Sequence, residues 1–229
     1  MKTTISLSHE ELGRLVGSSE SFEDFSDAEP TRDGVDGEAS GGRTGPLGLM
    51  LALLEDVDDA TREEASKALA ELAAPTTLDA LVGACGDEYW TVRAHAGWGV
   101  ARIGGSKAVE ALIVLFNDSI MDVRNDAVAA MASMGAAVVD RLITALKDER
   151  WRVREHAAKT CGEIKDRSAV EALMLVCRDR DGAVKSAAAE ALGKIGDPRA
   201  IPVLIKLFRD PSKTVRETSG TALISIGQP

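Results

Sequence analysis

Aromatic side chains are scarce: three Trp, one Tyr and four Phe make up 3% of 229 residues. Alanine is abundant instead, and small residues let helices approach closely, so the composition leans towards an all-α fold. Cysteine is equally sparse. Cys85, Cys161 and Cys177 are odd in number and lack paired spacing, which argues against a disulfide framework. Each falls on an apolar stripe, so the three read as reduced core residues of a cytoplasmic protein. No apolar run approaches the roughly 20 residues that span a bilayer. Residues 1–20 lack the apolar core of a secretory signal, and no membrane partner is expected. Basic charge is also in deficit, with 27 Lys and Arg against 37 Asp and Glu. Of the net charge of −10, residues 1–45 hold −6, with 10 acids and 4 bases. The remainder is mildly acidic and has no basic face, which argues against nucleic-acid binding. There is no Gly-rich phosphate loop, no zinc-type Cys/His spacing and no nucleophile elbow. No catalytic residue, metal or cofactor is expected.

What is present is a repeat. Asp56, Asp87, Asp118, Asp148, Asp179 and Asp210 stand 31, 31, 30, 31 and 31 residues apart. Six positions after each comes a base: Arg62, Arg93, Arg124, Arg154, Lys185 and Arg216. A fixed period of this size is the signature of a solenoid. Positions nine, six, five and two before each Asp are apolar, as in Val109, Leu112, Ile113 and Phe116, which is one face of a helix. After the Asp the chain turns into a second helix. Its ninth position is small (Ala65, Ala96, Ala127, Ala157, Ala188, Ser219), and its thirteenth and sixteenth are mostly larger and apolar. Gly104, Gly135, Gly196 and Gly227 follow as helix stops. The units run at about 46–74, 76–105, 107–136, 137–166, 168–197 and 199–228.

Residues 178–207, RDRDGAVKSAAAEALGKIGDPRAIPVLIKL, resemble HEAT-like repeats of the short, phycobilisome-lyase type. The resemblance covers 46–229, with unit 1 the weakest copy. It implies a right-handed α-solenoid of six helical hairpins, with first helices on the convex side and second helices on the concave side. It also implies that the Asp and Arg of neighbouring units bond in a ladder, a structural role. Two features depart from regularity. The step from Asp118 to Asp148 is one residue short, which predicts a tighter turn and a local change of superhelical pitch. Unit 6 ends on Leu223, Ile224 and Ile226 with no polar outer face, so self-association through this uncapped repeat is expected.

Ahead of the repeats, residues 1–45 read as an acidic, mostly disordered segment with a short helix near 8–16, where Ser8 and Glu11 form a capping box. Its Phe22 and Phe25 sit in an acidic setting suited to docking, either in cis or on a second partner.

Function is sought where the repeats differ. Positions four, eight, eleven and fifteen after each Asp are expected on the outward face of the second helices. Unit 2 is the outlier, with Trp98 between His95 and Arg102, the composition of an interface hot spot. Asp126, Arg152, His156 and Lys159 continue the face through units 3 and 4. Trp90 and Trp151, three after their Asp, read as turn-packing residues. His95 and His156 share a column. The His-Glu motif by which the HEAT-repeat deoxyhypusine hydroxylases hold iron fails here, because His156 follows Glu155 and His95 precedes Ala96. The expected function is a non-catalytic scaffold or adaptor that holds another protein in the concave groove. The alternative, invited by the family resemblance, is a bilin-chromophore lyase or isomerase-like subunit.

Overall fold

The computed structural model describes residues 45–227. The acidic segment and the expected helix near 8–16 lie outside the described residues. Six helical pairs follow one another: α1 (Pro46–Leu53) and α2 (Asp59–Leu72), α3 (Leu78–Ala84) and α4 (Trp90–Ile103), α5 (Ser106–Leu115) and α6 (Met121–Ser133), α7 (Val139–Ala145) and α8 (Trp151–Ile164), α9 (Val170–Val176) and α10 (Gly182–Ile195), α11 (Ile201–Leu207) and α12 (Lys213–Gly227). Among the described residues there is no strand. Odd-numbered helices are the short first helices, and even-numbered ones the longer second helices.

The apolar columns read from the sequence are the core. Leu81, Leu112, Leu142, Leu173 and Leu204 of the first helices are fully buried, as are Ala65, Ala96, Ala157 and Ala188 of the second. Each second helix packs against the second helices before and after it. This contact is close because the facing residues are small. A Cβ on Gly162 would lie 2.8 Å from the Ala191 Cα, and one on Gly193 2.8 Å from the Ala222 Cα. First helices bury larger side chains, such as Leu81, Leu112, Leu142 and Leu173. Helix spacing follows the side chains at the contact, so the second helices make the closer contact between units.

Two columns leave the core in unit 6. Ile205 and Phe208, expected on the buried stripe, are 55% and 48% exposed. In earlier units the following first helix covers these positions. Ile224 stands 65% exposed, in a column that elsewhere holds Ala or Gly.

The short step is resolved in the turn after α6. In the other linkers a positive-φ residue ends the second helix: Ala73, Gly104, Lys165 and Gly196. After Ala73, Lys165 and Gly196 one extended residue precedes the next helical turn, and Asp166 and Asp197 cap that turn by accepting the Ser168 and Arg199 backbone N–H at 2.8 and 2.9 Å. Gly135 keeps the positive φ but opens the 3-10 turn Gly135–Val138 directly. The missing residue is the extended cap, worth about 3.5 Å of linker. The turn is tighter, as its length predicted.

Candidate functional site

Each anchor aspartate opens its second helix. The Asp87, Asp118, Asp148, Asp179 and Asp210 Oδ1 atoms accept the backbone N–H two residues on at 2.8–2.9 Å. Its other contact is with the unit before. Arg93 Nε and Nη2 donate to Asp118 at 2.7 and 2.9 Å, and Arg154 repeats this on Asp179 at 2.7 and 2.9 Å. Arg62 holds Asp87 at 2.9 and 3.2 Å, and Lys185 Nζ donates to Asp210. The remaining guanidinium arm reaches back to the carbonyl of its own unit's aspartate, as Arg93 Nη1 does to Asp87 at 2.8 Å. Burial by itself raises the Asp118 and Asp179 carboxyl pKa values; the charged arginine forks outweigh it and hold both below the ordinary range. These residues fasten the stack together, the structural role expected of them.

The ladder has one broken rung, at the short step. Asp148 does not meet Arg124. It is held by Arg150 of its own turn, with Nε and Nη2 both at 2.9 Å, and this pairing lowers its pKa. Arg124 keeps its carbonyl contacts to Asp118 and Ser119 at 2.7 and 3.0 Å, and its buried Nε is left without a partner. An unmade buried hydrogen bond costs about 1–3 kcal/mol.

The second-helix face is open at three of the four expected columns. Positions four, eleven and fifteen are exposed or half-buried in every unit, and Trp98 at 37% and Arg102 are among them. Arg102 donates from Nη1 to the Ala70 carbonyl at 3.1 Å, which places it across the seam with unit 1. Lys159 is half-buried and pairs with Glu155 at 2.7 Å. Arg152 lies 4.9 Å from the Trp151 ring, so it is stacked on a neighbour at the helix start. Trp90 and Trp151 sit in the first turns of α4 and α8 and remain 38% exposed.

The eighth column is the correction. His156 is 3% exposed, with Nδ1 2.7 Å from the Arg152 carbonyl oxygen and its ring 6.1 Å from Phe116, which caps the end of α5. Burial depresses its pKa, with the carbonyl contact and Glu155 opposing. His156 is therefore a core residue and is withdrawn from the binding face. His95 and Asp126 are half-buried in the same column, and the His95 Nδ1 is enclosed without a partner. At about 100° per residue, position eight lies at the margin of the open face, turned into the seam with the preceding unit. The seventh column, which sequence reasoning passed over, carries Glu155, Ser186 and Glu217 onto the open side instead. With Lys159, Glu190 and Lys194, they border grooves of about 420, 520 and 500 Å³ across units 3–6. Lys194 bridges Glu163 and Glu190 at 2.8 and 2.6 Å, so the floor of this face is a mesh of paired charges.

The three cysteines are free and buried, and burial pushes each thiol up to about 12. Among the described residues no three His, Cys, Asp or Glu side chains cluster as metal ligands would. Nor is any single helix among them long and apolar enough to cross a membrane.

Comparison with known proteins agrees with this architecture. The sequence profile of HEAT repeats matches residues 47–134 and 139–224, and the gap between the two matches falls on the shortened turn. No functionally curated protein matches the chain in sequence. Among solved structures, Kap95p bound to RanGDP is 14% identical with a TM-score of 0.61, over 79% of this chain and 30% of that one. The CpcE–CpcF phycocyanin lyase complex of Nostoc sp. is 21% identical with a TM-score of 0.46, over 87% and 83%. Human deoxyhypusine hydroxylase is 18% identical with a TM-score of 0.42, over 81% and 85%. At such identities the likeness speaks to the fold alone. With the repeat profile covering most of its length, the chain belongs to the HEAT-repeat family.

Proposed function

We propose that the chain is a non-catalytic scaffold that holds a segment of another protein against the second-helix face. One observation carries this reading. Positions four, eleven and fifteen of the second helices stay open through all six units and vary from unit to unit, whereas the ladder residues and the inward columns are taken up by pairing and packing. Its anchor is Trp98, exposed where other units place Lys, Ala, Glu or Thr, with Arg102 one turn away. Trp and Arg are the residue types that dominate interface energetics. Lys159 and the groove beside it extend the surface towards Ser212 and Thr214 of unit 6.

The test is quantitative affinity capture from the native host with wild type and with Trp98→Ala/Arg102→Ala. The double variant is expected to lose its partner at least about tenfold, the fold-change of a hot spot worth roughly 1.4 kcal/mol or more. Helicity and melting should be nearly unchanged. Undiminished capture would place the partner elsewhere. Added bilin provides the opposing control, since a shift in its visible absorbance would favour the chromophore-handling alternative. We also propose a second copy as partner in unit 6, where Phe208 and Ile224 are exposed. Ile224→Asp should abolish concentration-dependent sedimentation. A wild type that is monomeric at every concentration rules this out.

A further inference from the structure

The opposite edge of the stack holds a surface that the proposed scaffold does not use. Between the ends of α7 and α9 lies a groove of about 750 Å³ beside the Asp turns of units 4 and 5. Ile143, Leu175 and Val176 form its apolar floor, and Leu175 is 65% exposed. Leu175 belongs to no buried column of the repeat. Lys147, Arg178 and Arg180 stand on the rim, and none of them makes an ion pair with another described residue. The acids nearby are mostly spoken for: Asp179 by Arg154 and Asp148 by Arg150, with Glu149 remaining. In a chain of net charge −10, an apolar floor under three cations that make no salt bridge to a described residue calls for an occupant that is acidic and carries large apolar side chains.

This chain contains such a segment. Residues 18–29, SSESFEDFSDAE, have five acids and no base, with Phe22 and Phe25 three apart. We infer that this segment docks in the groove of its own chain, with the two rings on Leu175 and Val176 and the carboxylates towards Arg178, Arg180 and Lys147. The reach is sufficient. By three to four repeat steps of about 10 Å plus the length of one short helix, the groove lies about 40–50 Å from Gly45. The 20 residues from Phe25 to Gly45 span up to about 70 Å. Tethering within one chain favours this partner over a free one, because the local concentration of a linked segment is high. Both halves of the contact contribute: ring burial supplies the attraction, and charge complementarity selects the site and makes it sensitive to salt.

Methyl NMR on the full chain is the test. Phe22→Ser/Phe25→Ser is expected to shift the Ile143, Leu175 and Val176 methyl signals and to leave the Trp98 indole signal in place. In an Arg178→Glu/Arg180→Glu background, the same Phe substitutions should no longer move those methyls. Cleavage after Glu23 by a Glu-specific protease gives a second readout. It should quicken at least about fivefold in the charge-reversed variant and in about 0.5 M salt, where screening shortens to a few ångströms. Methyl shifts that scale with protein concentration would put the segment on a second copy and overturn the intramolecular form. Movement of the Trp98 signal would put it on the second-helix face and overturn the site. Unmoved methyls with unchanged cleavage would overturn the docking altogether. None of these outcomes depends on whether Trp98 binds a partner.

Discussion

Asp118, Asp148 and Asp179 occupy one column and read alike in sequence, yet their surroundings differ. Asp118 and Asp179 have side chains only 8% and 12% exposed, each gripped by an arginine that is itself largely enclosed. Asp148 is 22% exposed, and its partner Arg150 is 46% exposed. Removing one member of an enclosed pair strands the other, whereas an exposed pair contributes little. Asp118→Asn and Asp179→Asn are each expected to cost about 2–4 kcal/mol, since Arg93 or Arg154 loses its carboxylate. Asp148→Asn should cost less than about 1 kcal/mol, because the amide oxygen still accepts the Arg150 N–H. Urea unfolding midpoints of the three variants test this ranking, and equal losses would mean that the broken rung bears load after all. His156 carries the complementary lesson. Its position in the repeat marked it as surface, but the Arg152 carbonyl and the Phe116 ring place it in the core. Neither neighbour can be read from the helical period, because one depends on rotamer and the other on an adjacent unit.

The turn between α6 and α7 is the one element where spacing alone foretold a structural departure. The count of residues was legible, and so was the tighter turn. Its consequence about 15 residues further on, the loss of contact between Arg124 and Asp148, was not, because a rung forms only if two rigid hairpins meet in register. Inserting one Asp between Gly135 and Ala136 restores the 31-residue step and supplies the missing extended cap. The insertion is expected to bring Asp148 back to Arg124 and to raise stability by about 1–2 kcal/mol, from a satisfied buried donor and a capped turn. A double-mutant cycle on Arg124 and Asp148 would register the repair as a coupling that the wild type lacks. No coupling in the inserted chain would show that the linker does not set the register. The two segments matched by the HEAT profile, 47–134 and 139–224, meet at this same element.

For the whole molecule, the ladder ties stability to pH. The Asp118, Asp179 and Asp210 carboxyl groups lie below the ordinary carboxylate range, the first two because their arginines outweigh burial, the third through Lys185. A carboxylate with a depressed folded pKa adds stability that is complete above its unfolded value near 4. That contribution is lost as pH falls through the folded value. His156 acts over a separate range. Burial favours its neutral form, so the unfolded chain takes up the proton first as pH drops below about 6.5, and stability declines from there. Thermal melts should therefore show two descents, one beginning near pH 6.5 and a steeper one below about pH 4. His156→Gln should flatten the first and leave the second. A first descent that survives the substitution would assign it to another group.

Read alone, the sequence determined the helical pairs, their number, the columns that face inward and the place of the irregular turn. Each of these follows from a period, and a period needs only one chain and the geometry of a helix. The tertiary structure decided what happens between units. It broke one rung, enclosed His156, left Trp98 and Arg102 open, and placed Leu175 over a groove with a basic rim. Such features depend on how one hairpin sits against the next. A shift of about 3.5 Å there, the span of one extended residue, is enough to redirect a side chain while leaving the repeat pattern intact.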